Sequence, residues 1–326
     1  MNAVSAPFPA TSLPVQQPAR GLRRFAWGVV AYNVLVIIWG AAVRATGSGA
    51  GCGDHWPLCN GSVIQHHPTI STIIEFAHRS MSGVALIAIV ALLVWTVRAT
   101  AKRHLARAAA VAALVLTLNE ALLGALLVLL GKTATDQSAS RGVYLALHLA
   151  NTLLMVGAMT LTAHFLSRER GFMRGSVEMR RPTLAITGLL AVIITGIFGA
   201  LAALADTLYP SPNVRAAILE DFAADSPTLV HLRWLHPVIS LVAGAFIVWI
   251  VFRAFHSVAN RGLAAGVIGL LVLQYWLGFA DLALLAPVAL QMLHLLGADL
   301  LWIALVVLTA RLYLRPIGCT EGMCGR

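Results

Sequence analysis

Long apolar runs, separated by short polar segments, follow one another along the chain after its first 24 residues. A helix needs about 20 mainly apolar residues to cross the hydrocarbon core of a bilayer. Eight runs approach or reach that length, and they predict eight transmembrane helices in an all-α integral membrane protein. The predicted spans are 25–44, 76–97, 107–130, 142–166, 182–205, 231–252, 263–282 and 288–310.

The segments between these runs alternate in charge. Those after the second, fourth and sixth spans are basic, whereas those after the odd-numbered spans hold few Lys or Arg and several acids. Because Lys and Arg are retained on the cytoplasmic side, this alternation predicts that both termini are cytoplasmic and that the segment 44–79 faces outside. The basic positions are Arg98, Lys102, Arg103, Arg107, Arg168, Arg170, Arg174, Arg180, Arg181, Arg253 and Arg261.

Composition supports a membrane protein and argues against a nucleic-acid partner. Hydrophobic residues make up 59% of the chain and charged residues 11%, compared with about 25% charged in soluble domains. The net charge of +10 is distributed in short blocks between apolar runs instead of forming one basic face. The first 24 residues lack the features of a signal peptide, and we expect a disordered cytoplasmic tail in a bacterial plasma membrane protein. Cys319 and Cys324 lie in the other cytoplasmic tail, where we expect them to be reduced and assign them no role.

The two halves of the chain resemble each other weakly. The third span of each half contains a similar piece, which begins at Glu120 in the first half and at Gln274 in the second. The fourth span of each half opens with Leu-His-Leu, around His148 and His294. This repeat predicts two pseudo-symmetric four-helix bundles, an architecture that holds cofactors between facing helices. The predicted parts are a tail at 1–24, an N-terminal bundle at 25–166, a basic linker at 167–181, a C-terminal bundle at 182–310 and a tail at 311–326.

The eleven histidines divide by their predicted depth in the membrane. Seven lie in loops or at the ends of spans, where a solvated or interfacial role accounts for them. His78, His148, His236 and His294 lie one to two turns inside the outer ends of even-numbered spans, two in each half. A single histidine there is more often a helix–helix hydrogen bond, but four at matched depth favour a function. Paired imidazoles are typical of bis-histidine heme ligation, whereas zinc or copper would lack further ligands within the membrane.

Other ionisable residues accompany these histidines on the outer side. Arg44, Arg79 and Arg233 lie at outer ends of spans, where they could pair with heme propionates or simply extend to the interface. Glu75 precedes His78 by three positions and so lies on the same helix face. Glu75 fits a general base, a cation stabiliser or a proton relay, and equally an acid favoured at the start of a helix.

The loop between the first two spans is rich in Gly, Cys and aromatic residues, which suggests a lid over a membrane site. Cys52 and Cys59 face an oxidising compartment in the predicted topology, so a disulfide is expected between them. A redox role is the alternative, because exposed disulfides in small loops can be labile. Glu120 and Asp299 are acids within predicted spans, and the sequence assigns neither of them a role.

Taken together, these residues resemble the bacterial heme A synthase family. The first loop carries the most specific part of the likeness, and the helical matches follow in the same order along residues 25–310. The matching positions are RATGSG from Arg44, Cys52, Asp54, WPLC from Trp56 to Cys59, Gly61, Glu75, His78, Arg79, Leu-His-Leu at His148, His236, and the segment from Pro287 through His294 to Trp302.

The resemblance implies an enzyme that oxidises a porphyrin methyl of heme O to a formyl group by successive hydroxylations, giving heme A. It implies that His236 and His294 hold a resident heme b and that His78 and His148 bind the heme substrate. Glu75 would then be the catalytic carboxylate. Cys52 and Cys59 would lie above the substrate site with a role in redox chemistry or heme transfer. Heme O synthase and terminal oxidase assembly are the implied partners, and homo-oligomerisation is left open.

Two other functions compete with this one: a bis-histidine membrane cytochrome that only transfers electrons, and a non-catalytic heme carrier or oxidase assembly factor. The chain also departs from the family pattern in three places. The outer segment 206–230 lacks the second cysteine pair that some members carry. Glu120 stands where Gln274 predicts a glutamine, and Pro237 follows its histidine where the first half has Arg79. The last departure leaves propionate pairing in the second half to Arg233 or another group.

Overall fold

The computed structural model describes residues 20–63, 65–168, 173, 177–179 and 181–316. Within them, eight helices are long and apolar enough to cross a membrane, and each coincides with a predicted span. The prediction of an all-α integral membrane protein is confirmed. The spans are α1 (Arg20–Ala45), α2 (Ile70–Ala99), α3 (Leu105–Leu129), α4 (Ala139–Leu166), α5 (Pro182–Leu208), α8 (Leu235–Ala254), α9 (Val258–Ala283) and α10 (Val288–Tyr313).

Short elements connect these spans. A 3-10 turn (Ser48–Ala50) lies in the first loop, and two helices, α6 (Val214–Phe222) and α7 (Thr228–His231), lie between α5 and α8. Two strands, β1 (Val177–Met179) and β2 (Leu314–Pro316), form an antiparallel pair. Cys319 and Cys324, which were predicted to be reduced, lie outside the described residues.

Polar side chains cap the N-termini of several helices. The Thr69 side chain accepts a hydrogen bond from the Thr72 amide at 3.2 Å, and His104 Nδ1 accepts from the Ala106 amide at 3.1 Å. Such caps satisfy amide groups that have no partner inside the helix. Burial, and to a lesser extent the charge of Arg107, lowers the pKa of His104. The lowered pKa favours the neutral ring, which is the form that can accept this hydrogen bond.

The predicted start of the first span is wrong. The helix α1 begins at Arg20, inside the segment predicted as a disordered tail, because Leu22 is fully buried in the main apolar core and so ties the first turn to the bundle. The predicted linker 167–181 and tail 311–326 also meet in the sheet, where Val177 pairs with Pro316 and Met179 with Leu314. Backbone pairing between distant segments satisfies amide and carbonyl groups that a free linker would leave to solvent.

The helices α4 and α10 are the most buried spans and join the two halves. The helix α4 contacts α1, α3 and α5 as well as α10. Trp302 of α10 donates a buried hydrogen bond from its indole nitrogen to the carbonyl of Leu153 in α4, at 2.8 Å. One apolar core surrounds this contact, and a second lies between α8, α9 and α10 around Leu305. The pseudo-symmetry of the halves and the cytoplasmic side of both termini stay predictions.

The outer surface of the bundle is apolar. Side chains such as Ile87 on α2, Val242 on α8 and Phe279 on α9 are 66–70% exposed. A soluble protein would bury large side chains of this kind, whereas a bilayer solvates them. The spans therefore present to lipid the faces that they do not use for packing.

Candidate functional site

Two of the four predicted histidines pack tightly against a glycine on a neighbouring span. A Cβ atom added at Gly40 in α1 would lie 2.8 Å from Cε1 of His78 in α2. A Cβ atom added at Gly199 in α5 would lie 2.9 Å from Cε1 of His236 in α8. Since real Cβ atoms almost never approach so closely, both imidazoles require glycine at the facing position. Each ring is thus fixed by the backbone of the preceding span.

The other two histidines have a glycine neighbour at longer range. The corresponding distances are 3.8 Å from Gly124 in α3 to Cε1 of His148 in α4, and 3.3 Å from Gly278 in α9 to Cε1 of His294 in α10. Both glycines belong to the repeated pieces that start at Glu120 and Gln274. Their position opposite histidine rings was not predicted. All four histidines therefore face a glycine of a neighbouring span.

The two imidazoles of the C-terminal pair lie close together. The ring centres of His236 and His294 are 6.2 Å apart, and the ring planes are nearly perpendicular, at 88°. Two imidazoles from facing helices are a donor set that would hold a heme iron. Nδ1 of His236 lies 3.1 Å from the carbonyl oxygen of Thr195, so this nitrogen donates and Nε2 is left as the free base. The residues present fit a bis-histidine heme.

The N-terminal pair has different neighbours. The helices α2 and α4, which carry His78 and His148, both pack against α1 and α3. Nδ1 of His78 and Nδ1 of His148 are both buried and have no hydrogen-bond partner among the described residues, as is also true of Nδ1 of His294. Nε2 of His148 faces the carboxylate of Glu120, with 3.5 Å between Nε2 and Oε1. Unpartnered imidazole nitrogens within an apolar bundle suit a metal-bearing ligand.

Clusters of three or more His, Cys, Asp or Glu side chains that could hold a metal ion do not occur in the part of the chain that the structure describes. A pair of histidines is a sufficient set of axial ligands for heme, since the porphyrin supplies the remaining nitrogens. The donor set therefore favours heme over a zinc or copper ion.

Glu75 is buried, with 3% of its surface exposed, and both of its carboxylate oxygens have donors. Oε2 accepts from the Cys52 amide at 2.8 Å, and Oε1 accepts from Nη2 of Arg79 at 2.6 Å. The prediction that Glu75 shares a helix face with His78 agrees with its position in α2. Its link to the backbone of the first loop was not predicted, because Cys52 and Glu75 are 23 positions apart.

Arg79 also fixes the first loop. Its Nη1 donates to the carbonyls of His55 and Leu58, at 2.6 and 2.7 Å. Next to it, the Thr72 hydroxyl donates to the Gly51 carbonyl at 2.8 Å. Gly51 packs so closely on the backbone of α2 that a side chain would collide with it. The loop therefore lies directly over the start of α2.

Cys52 and Cys59 are joined by a disulfide in the structure, and both residues are fully buried. The Asn60 amide donates to the Cys52 carbonyl at 2.9 Å, which closes the small loop that the disulfide spans. Because the same Cys52 residue donates its amide to Glu75, the disulfide and the carboxylate belong to one connected unit. A redox or transfer role for the cysteines stays a prediction.

The other two predicted propionate partners contact protein groups. Arg44 donates to the Ala203 carbonyl at 2.6 Å, to the Thr207 hydroxyl at 2.8 Å and to Oε1 of Gln291 at 2.7 Å. These bonds join α1 to α5 and α10. Arg233 pairs with three acids of the segment 206–230: Asp206 at 3.2 Å, Glu220 at 3.5 Å and Asp221 at 2.8 Å. Propionate pairing by either arginine stays a prediction.

Substituting Gly40 by alanine is expected to displace the His78 ring and weaken heme binding by the N-terminal pair. Overpacking of this kind typically costs about 1–3 kcal/mol. Purified protein titrated with hemin and followed by its Soret absorption would measure the loss. Gly28, on the same helix with open space where its Cβ would lie, provides the control. Gly28→Ala should leave the titration unchanged, and an equal loss in both variants would contradict the packing argument.

Comparison with known proteins identifies the family. A family model described as a cytochrome oxidase assembly protein, COX15-CtaA, matches residues 23–306. A heme A synthase of Geobacillus kaustophilus is 30% identical over 250 residues, which cover 74% of this chain and 73% of that protein. A protoheme IX farnesyltransferase of Thermus thermophilus is 43% identical over 295 residues, 88% of this chain but 48% of that protein, so the chain spans about half of that relative. The predicted resemblance is thereby confirmed, and the chain belongs to the COX15-CtaA family.

Proposed function

We propose that this protein is a membrane oxidoreductase that converts heme O to heme A, by oxidising one porphyrin methyl to a formyl group through successive hydroxylations. Membership of the COX15-CtaA family and similarity to several proteins named heme A synthase support this reaction. The observation that carries the proposal is the buried carboxylate of Glu75. It lies three residues before His78 and is held from two sides, by Arg79 and by the Cys52 amide.

In this proposal the two histidine pairs hold two different hemes. His236 and His294 bind a resident heme b, which supplies one-electron redox chemistry when bound. His78 and His148 hold the heme substrate. The centre spacing of 6.2 Å and the hydrogen bond from His236 to Thr195 support the first assignment. The position of Glu75 one turn from His78 supports the second.

Glu75 acts in this proposal on the reacting methyl carbon. A carboxylate at this place can accept a proton from the substrate or stabilise positive charge that develops on it. Arg79 and the Cys52 amide orient the carboxylate, and the apolar helices around it exclude water. The part of the first loop around Cys52 lies over the start of α2, and the Cys52–Cys59 disulfide keeps the Cys52 amide in place. We propose this positioning role for the disulfide alongside redox exchange or heme transfer.

The cellular setting follows from the same proposal. The protein lies in a bacterial plasma membrane with both termini in the cytoplasm and with the site near the outer face. It is built as an N-terminal substrate bundle (25–166) and a C-terminal heme b bundle (182–310). It receives heme O from a heme O synthase and delivers heme A for terminal oxidase assembly.

A transferase is the second candidate, because the Thermus relative at 43% identity is named protoheme IX farnesyltransferase. The match covers 48% of that protein, so its name can describe a part that this chain does not contain. The Geobacillus heme A synthase, in contrast, is matched over 73% of its length. We therefore favour the oxidoreductase.

Heme extraction followed by mass analysis tests the proposal. The full chain would be expressed in a bacterium that lacks heme A, with and without a heme O synthase. Heme A should form only when both proteins are present. Its absence would overturn the proposal, and heme O formed without the heme O synthase would support the transferase instead. An electron-transfer cytochrome or a non-catalytic carrier would leave heme O unchanged.

A further inference from the structure

A network of polar side chains surrounds His148 in the N-terminal half. Glu120 of α3 accepts from Asn151 Nδ2 at 2.5 Å through Oε2, and from the Thr152 hydroxyl through Oε1. Asn151 also accepts from Asn119 at 2.8 Å. Asn151 and Thr152 are about 5% and 4% exposed. The carboxylate of Glu120 is therefore fixed in the apolar bundle, with Oε1 3.5 Å from Nε2 of His148.

The corresponding positions of the C-terminal half carry no such network. Aligned on the repeated pieces, Glu120 corresponds to Gln274, whereas Asn151 and Thr152 correspond to Gly297 and Ala298. Gln274 reaches the same place, since its side-chain nitrogen packs against Gly297. That nitrogen has no partner among the described residues, and the described hydrogen bonds include none between Gln274 and a histidine. Among the described residues, a carboxylate within 3.5 Å of an imidazole nitrogen thus distinguishes His148 from the C-terminal pair.

His236 and His148 also differ in which imidazole nitrogen has an acceptor beside it. In His236, Nδ1 lies 3.1 Å from the Thr195 carbonyl, an arrangement that puts the proton on Nδ1 and leaves Nε2 free to bind iron. In His148 the acceptor faces Nε2, and Nδ1 is buried without a partner. Glu120 therefore favours the tautomer with the proton on Nε2, which cannot bind iron through that nitrogen.

We propose that Glu120 is a positioning residue that makes heme binding at His148 reversible. This inference rests on the proposed function, because an enzyme must release its product heme but retain its resident heme. With heme bound, Nε2 of His148 would hold the iron and the imidazole proton would lie on Nδ1. Without heme, the proton would lie on Nε2, where Glu120 would accept a hydrogen bond from it. The ring keeps one proton in both forms, and no electron is transferred. Glu120 thus competes with iron for His148, whereas the ion pairs among the described residues place no carboxylate beside His236.

Heme transfer from the full-length protein tests this role. Protein loaded with ferric heme b would be mixed with excess apomyoglobin, and the absorption change would be resolved into a fast and a slow phase. The fast phase is expected from the N-terminal pair, and His148→Ala should abolish it. Glu120→Gln keeps the shape of the side chain but lacks the charge. It should slow the fast phase by about threefold to tenfold, a factor typical of the net contribution of one hydrogen bond, and leave the slow phase unchanged.

Asp225→Asn, which removes an exposed acid of the outer segment, is the charge-matched control and should change neither phase. A fast phase that is unchanged or faster in Glu120→Gln would overturn the inference. A faster phase would show that Glu120 supports heme binding by His148, because removal of a supporting residue weakens the bond to the heme. Glu120→Ala provides a second variant if the slow phase shows that the glutamine protein is misfolded. If His148→Ala leaves both phases intact, the N-terminal pair binds no heme, and the proposed function fails instead.

Discussion

Replacing Glu75 by glutamine is expected to abolish heme A formation while leaving the heme b content of the protein unchanged. Glutamine has nearly the same shape, and its side-chain oxygen can still accept from the Cys52 amide or from Arg79. It cannot take up a proton or balance a positive charge, so the rate should fall by about 10²–10⁴-fold, the range expected for loss of a general base. The ratio of heme A to heme O in extracts of co-expressing cells measures this effect.

Asp54→Asn is the matched control, because Asp54 is an acid of the same loop but is exposed. This variant should retain full activity. Normal heme A formation by Glu75→Gln would show that Glu75 is not the catalytic carboxylate and would favour a carrier or assembly role. Loss of both bound heme and activity would show that the carboxylate mainly holds the loop on α2.

The contacts of Glu75 connect the first loop to the proposed chemistry. Its carboxylate accepts from an amide that belongs to a disulfide-bonded residue, and Arg79 holds two carbonyls of the same loop. Movement of the loop would therefore change the surroundings of the carboxylate directly. A structural disulfide and a redox-active disulfide make different predictions, because only the redox-active one requires the Cys52–Cys59 bond to open during turnover.

Much of the fold could be predicted from hydropathy alone. Apolar runs of membrane-spanning length have few alternatives to helix, because a bilayer core leaves unpaired backbone groups unsatisfied. The exceptions depend on tertiary contacts. The segment 20–24 has the composition of a polar tail, but Leu22 within it is buried and belongs to the helix. The pairing of β1 with β2 joins segments more than 130 positions apart, which no local pattern encodes.

The candidate site was predictable as a set of residues but not as a set of contacts. The spacing of Glu75, His78 and Arg79 placed them together on α2, and the repeat paired the histidines. Sequence spacing could not show that Arg44 donates to groups of α5 and α10, since those partners are more than 150 positions away. The Glu120 network did leave a signal, because Asn151 and Thr152 follow His148 by three and four positions and so share its helix face.

Alanine at His236 or His294 is expected to remove the resident heme b, whereas alanine at His78 or His148 should leave it bound. An axial ligand contributes more to iron affinity than its supporting groups do, and loss of supporting groups alone costs about 10–100-fold. The C-terminal variants should therefore contain less than roughly a tenth of the wild-type heme b. The pyridine hemochrome spectrum of purified protein measures that content. The N-terminal variants should instead lose heme A formation.

His231→Ala separates loss of a ligand from general damage to the sixth span. His231 lies near the start of the same span as His236, and its Nδ1 lies 2.8 Å from the Asp221 carbonyl. This variant should keep its heme b, because it leaves both rings of the C-terminal pair and the Thr195 carbonyl in place. Identical heme content in all four variants of the paired histidines would contradict the division of labour between the halves. Loss of heme b in the His78→Ala variant alone would mean that the resident heme lies in the N-terminal bundle, near Glu75 and Glu120.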